Sequence, residues 1–329
     1  MTQAGDSHIG ITSTVPIEVI YAAGLIPVDV NNVFIESAAP LDWVQQAEDA
    51  GFPRNCCGWV KGIYTAVRAA GLGRVVAVTQ GDCAHTQALM EVLLDDGIET
   101  VPFAYPADRD VEAMRRGLDE WAERLGAPAD RIAGTKARLD AIRALAHEVD
   151  RRTFETDQAT GFECHLALVN CSDMVRDPTA YEQHLRAQLA EIEARPPKRG
   201  GVRLGLLGVP PIYSGLHALI EESGARVVFS EIPRQFAMPY ATDDLAEQYT
   251  RYTYPYGALA RIEDIRIESE HRRLDGLIHY VQSFCFRQVG DLLLRRHLAL
   301  PILTLEGDRP GPVDAAARLR IETFIDMLR

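Results

Sequence analysis

The feature that most constrains this chain is a recurring unit: a buried apolar run, a polar loop, an amphipathic stretch and a second apolar run. RVVAVTQ from Arg74 is followed by GDCAHT, by QALMEVLLDDG closed at Gly97, and by IETVPFAYP. VRLGLLG from Val202 leads through VPPIYSG and LHALIEESG to ARVVFSEIP. LDGLIHYVQ from Leu274 leads through SFCFRQVG and DLLLRRHLAL to PILTLEGD, and RLRIETFIDMLR predicts a C-terminal helix. Short apolar runs bounded by turn residues and separated by helical periodicity predict parallel strands joined by crossover helices. The intervening stretch from Val111 to Ala194 has helical spacing, with breaks only at Pro128 and Pro178. The expected organisation is therefore α/β: an N-terminal lobe over 1–125, a helical bridge over 126–199 and a C-terminal lobe over 200–329. No internal repeat is visible beyond the βαβ plan, and no low-complexity segment exceeds PPKRGG at Pro196–Gly201.

Charge and motifs remove whole classes of function. Among 329 residues, 47 acidic against 34 basic side chains give a formal net charge of −13 with no basic block, which argues against nucleic acid as a partner. The N-terminal MTQAGDSHIGITSTVP lacks a basic stretch and apolar run, and no segment approaches the roughly 20 apolar residues that span a bilayer. A cytoplasmic protein with no membrane partner is expected. GxGxxG after a strand, Walker A, GxSxG and HExxH patterns are all missing, so dinucleotide binding, intrinsic nucleotide hydrolysis, serine-hydrolase and zincin chemistry have no support. Arginine far outnumbers lysine, present only as Lys61, Lys136 and Lys198, which reads as compositional bias.

The six cysteines, Cys56, Cys57, Cys83, Cys164, Cys171 and Cys285, are the main chemical lead. A chain of this size needs no disulfide staples, and thiols in a reducing compartment are more often ligands or catalytic groups. Cys83 and Cys285 each follow a predicted strand, in the loop before a helix, and Cys57 precedes an amphipathic segment in PRNCCGWVKGIY. In open parallel sheets this is where ligands collect, and a helix start favours a thiolate. Three thiolates from three helix starts fit an iron–sulfur cluster; the competing reading is small buried hydrophobes near strand ends. Cys164 and Cys171, seven apart in FECHLALVNCSDM, fall on one helical face and read first as core packing.

Other candidates are weaker. His85 near Cys83 could carry a proton or ligate, although a lone loop histidine is more often structural. The tyrosines of QYTRYTYPYG either line a pocket or pack a loop. Glu18 is an acid within the apolar PIEVIYAAGLIPV, where a buried carboxylate needs a partner.

At this point five ordered segments carry a resemblance: PIEVIYAAGLIPVDV, PRNCCGWVKGIY, VVAVTQGDCAHTQALMEVL, YVQSFCFRQVGDLLLRRHLALPILTLEGDRP and RIETFIDML. Together they resemble the landmarks of the 2-hydroxyacyl-CoA dehydratase D-component family, which also contains benzoyl-CoA reductase subunits and double-cubane cluster proteins. The resemblance implies two lobes with parallel, Rossmann-like sheets joined by a helical section, and a cluster in the cleft between lobes. It implies a [4Fe–4S] cluster on Cys57, Cys83 and Cys285, with Cys56 replacing or joining Cys57. It also implies a separate activator ATPase, bearing its own iron–sulfur cluster, that delivers one low-potential electron. That electron passes to an acyl-CoA thioester as a ketyl radical and lets an otherwise non-acidic β-hydrogen leave; related reductases use the same delivery. A second family subunit or a self-dimer is the implied assembly, and Glu18, within a landmark, is the candidate catalytic carboxylate.

Two departures qualify the resemblance. GIYTAVRAAGLGR lacks the further cysteine of the double-cubane relatives, and Ala84, His85, Thr86 and Gln87 stand where relatives are commonly basic. Two alternatives stay open: a double-cubane reductase of a small non-CoA substrate, drawing on Cys56, Cys164 and Cys171, and a non-catalytic electron-carrier subunit.

Overall fold

The structure is a computed structural model that describes residues 7–198 and 200–329. Residues 1–6, the start of the stretch read for a leader, and Arg199 within PPKRGG lie outside the described residues. The fold is α/β with parallel sheets, as the alternating pattern predicted. Two compact units are formed: one from 7–142, 172–181 and 238–256, the other from 143–171, 182–198, 200–237 and 257–329. The long helix Ala129–Phe154 thus contributes to both. Among the described residues no helix is long and apolar enough to cross a membrane.

The first unit holds four parallel strands, β1 (His8–Ile11), β2 (Ile26–Asp29), β3 (Arg74–Gln80) and β4 (Glu99–Ala104), in the order β2-β1-β3-β4. Both edge strands carry proline, Pro27 and Pro102, which suits positions with one unpaired side. β3 is the buried run predicted, flanked by the helices Gly58–Ala69 and Ala84–Asp95, with Gly97 at φ +81° ending the second of these. The segment PIEVIYAAGLIPV, one apolar stretch in the sequence, divides into the helix Ile17–Ala22 and the strand β2.

The second unit repeats the plan with β5 (Val202–Leu207), β6 (Ala225–Ser230), β7 (Gly276–Gln282) and β8 (Ile302–Gly307), all parallel in the order β6-β5-β7-β8. Every residue of β7 is buried, as a central strand covered on both faces requires. Its core includes Leu207, Val228, Phe229, Ile262, Ile265, Leu277 and Leu294. The loops are more ordered than predicted: Phe286–Gly290 forms a 3₁₀ turn, Glu231–Phe236 a short helix, and Tyr213–Ser214 pairs in parallel with Gly311–Pro312.

Charge in this unit is buried as well as exposed. Arg272 makes a bidentate contact with Asp150 at 2.7 and 2.6 Å and reaches Glu268 at 2.6 Å, while Arg234 bridges Asp264 and Glu268. Arg261 pairs with Glu231 at 2.6 Å. Burial opposes ionisation of Asp150, yet Arg272 holds its carboxyl below the ordinary value. Several arginines read as compositional bias are therefore internal partners.

Candidate metal centre

In a parallel sheet ordered second-first-third-fourth, the connections leave the first strand in opposite directions, and ligands gather beyond the strand C-termini at that switch point. Both sheets have this order, so the loops after β3 and β7 occupy it. Gln80 ends β3 and Gln282 ends β7, and three residues on from each comes a cysteine, Cys83 and Cys285. Cys83 is the N-cap of the helix Ala84–Asp95 and Cys285 the N-cap of the 3₁₀ turn Phe286–Gly290. Cys57 is the N-cap of Gly58–Ala69, the helix that leads into β3 and packs beside the Cys83 helix. All three predicted ligands thus stand at helical starts.

The two turns are built differently. Cys285 N donates to Gln282 O at 3.1 Å, with Phe284 in the left-handed region at φ +65°. In the first unit Gly81 takes the left-handed conformation, φ +100°, and packs so closely that a Cβ there would lie 2.7 Å from Pro255. Cys83 N donates to Asp82 Oδ1 at 2.8 Å, and Thr86 Oγ1 donates to Asp82 Oδ2 at 3.2 Å. Burial and the Asp82 carboxylate push the Cys83 thiol up, against Thr86 and the His85 and Thr86 amides. Cys57 is 8% exposed, whereas Cys83 and Cys285 are half-buried. Burial pushes the Cys56 thiol up, with Lys61 opposing.

Cys164 and Cys171 occupy a different chemistry. Both are buried; Cys164 donates to Asp150 Oδ1 at 3.3 Å and Cys171 to Ala167 O at 3.4 Å. Burial, reinforced by Asp150, pushes the Cys164 thiol well up. These are thiols packed in the second unit, each with an acceptor for its proton.

Glu18 is fully buried in the first turn of Ile17–Ala22 and accepts from the Tyr249 hydroxyl at 2.9 Å. The tyrosine cluster packs: Tyr249, Tyr252 and Tyr256 are buried, and the Tyr105 ring lies 5.9 Å from that of Tyr252. His85 is half-buried in the first turn of the Cys83 helix. Sequence reasoning passed over Asp82, and named Thr86 only as a departure from the relatives. A carboxylate pair was also missed. Asp29 N donates to Asp173 Oδ2 at 2.9 Å, and burial with the nearby Asp29 charge raises Asp173 to about 7.

Among the described residues no group of three or more His, Cys, Asp or Glu side chains is set around a single metal ion. A cubane asks for something else. Its thiolate donors bind separate irons, so they are distributed around the cluster rather than focused on one point. The thiols of Cys57 and Cys83 in the first unit and of Cys285 in the second are soft donors of the kind that iron–sulfur clusters take.

No curated protein matches the chain. The sequence profile of the 2-hydroxyglutaryl-CoA dehydratase D-component matches residues 12–328, covering both units. The chain belongs to the 2-hydroxyglutaryl-CoA dehydratase D-component family.

Proposed function

We propose that this chain is the iron–sulfur component of a radical 2-hydroxyacyl-CoA dehydratase or a related acyl-CoA reductase, with Cys57, Cys83 and Cys285 as ligands of one [4Fe–4S] cluster. Members of this family are dehydratase-type components that carry iron–sulfur clusters and work with an activator. The observation that carries the reading is the shared position of the three cysteines at helical N-caps, two of them directly beyond the third strand of a sheet.

When bound, the cluster supplies a low-potential electron and an iron without a protein ligand. The remaining roles fall to this chain's own side chains. At Cys83 the His85 and Thr86 amides favour the charged form of the sulfur, against burial and Asp82. Glu18, the candidate catalytic carboxylate, is fully buried and accepts from the Tyr249 phenol. Cys56 stays outside the ligand set because Cys57, not Cys56, occupies the N-cap. Cys164 and Cys171 stay outside it because each retains its proton on a neighbouring acceptor. The activator ATPase, the acyl-CoA substrate, a cytoplasmic setting and pairing with a second family subunit or another copy complete the reading.

The test is anaerobic reconstitution with iron and sulfide, followed by absorbance and EPR of the reduced protein. Wild type is expected to develop a cubane spectrum and the Cys57→Ser/Cys83→Ser/Cys285→Ser variant is expected to lack it. A triple variant that assembles the same cluster as wild type overturns the assignment.

A further inference from the structure

The two turns that follow the third strands share the spacing of glutamine to cysteine but differ in the residue before the cysteine. It is Asp82 in one and Phe284, 45% exposed, in the other. We propose that Asp82 is a positioning residue that lowers the potential of a cluster bound at Cys83, by competing with the sulfur for the Thr86 hydroxyl and placing a negative charge beside it. The inference rests on the reading of Cys83 as a cluster ligand.

Reduction potentials of iron–sulfur clusters are set by net charge, by hydrogen bonds to the sulfurs and by exposure. Asp82 acts on the first two. Its Oδ1 accepts from Cys83 N at 2.8 Å, which ties up the ligand's own amide. Its Oδ2 accepts from Thr86 Oγ1 at 3.2 Å, while that hydroxyl lies 3.7 Å from Cys83 Sγ. The threonine proton thus has a choice of acceptors, and an ionised carboxylate is a stronger acceptor than sulfur. A hydrogen bond to sulfur would stabilise the added electron; drawing the Thr86 hydroxyl towards Asp82, together with the carboxylate charge, disfavours it. Gly81, backed by Pro255 and Tyr105, fixes the turn that presents Asp82 to both donors. At Cys285 the amide is satisfied by the Gln282 carbonyl instead of a side chain. A purely structural aspartate, serving only as a local cap, would leave the potential alone.

The experiment is a potentiometric titration followed by EPR on the reconstituted full chain, with iron and acid-labile sulfide measured on the same samples. Asp82→Asn keeps the shape and one acceptor oxygen while removing the charge. It is expected to hold the wild-type iron content and to shift the midpoint potential upward. Adding Thr86→Val is expected to reduce that shift, because the released hydroxyl is gone. Phe284→Asp, at an exposed site whose left-handed backbone aspartate tolerates, is expected to shift the potential downward. It alone decides the matter if Asp82→Asn does not fold. Full loading with a potential that ignores Asp82→Asn, or ignores Phe284→Asp where that variant decides, overturns this inference and leaves the ligand assignment standing. A wild-type chain that binds no iron removes the ligand assignment and the inference with it.

Discussion

Compared strand by strand, the two units share one topology and use it for different purposes. Each has four parallel strands with the second and third flanking the first, and each ends its third strand on glutamine with cysteine three residues later. The helix leading into the third strand is capped by Cys57 in the first unit and by Gly257 in the second. The first unit therefore offers two cysteines at its switch point and the second offers one. Their interiors also diverge. The first buries hydroxyls and carboxylates, Glu18 with Tyr249 and Asp29 with Asp173, whereas the second buries arginine–carboxylate networks around Arg272, Arg234 and Arg261. The comparison teaches that strand order fixes where a ligand group can stand, while the residue at each helix start decides whether a donor stands there.

The largest expected effect breaks the second unit. Arg272→Met leaves Asp150 and Glu268 buried without their main cation and is expected to cost about 3–5 kcal/mol, read as a lowered thermal midpoint. An unchanged midpoint would contradict the network's internal role.

The first unit is sharpened by pH. Asp173 has a folded-state pKa of about 7 against an ordinary value of 3.8, so the native state binds the extra proton between those limits. Stability is then greatest at the acid end of that window and falls as pH rises towards 7. Asp173→Asn is expected to be more stable than wild type at pH 8, by up to a few kcal/mol, with the gain fading by about pH 4. A difference between the two proteins that does not vary with pH would sink this assignment.

The smallest pair of effects compares the turns directly. Gly81→Ala introduces both a strained φ and a Cβ clash against Pro255, for an expected loss of about 1–3 kcal/mol. Ser283→Ala, at the corresponding position of the other turn, is expected to stay within about 0.5 kcal/mol. Equal midpoint changes for the two variants would mean that the turns are not built differently.

Much of this was legible before any coordinates. The six strands of the three βαβ units are largely apolar runs, and they lie where the sequence pattern puts them. β1 and β2 were not legible, because HIGI and IPVD are four residues each, too short to show a period. The kinship of the two sheets was hidden for a related reason: it is carried by strand order, and only the glutamine-to-cysteine spacing leaves a trace in the sequence. At the candidate site the three cysteines could be placed at helix starts from local pattern alone. The partners could not, since Tyr249 lies 231 residues from Glu18 and Asp150 lies 122 residues from Arg272. Long-range pairs of polar groups have no local signature, so the arginines resembled surface charge.

The central claim, one cubane on Cys57, Cys83 and Cys285, is tested most directly by iron and acid-labile sulfide per chain after strictly anaerobic purification. Wild type and a Cys164→Ser/Cys171→Ser variant are each predicted to hold about four of both. About eight in wild type with a loss in that variant, or no iron in either protein, would contradict it.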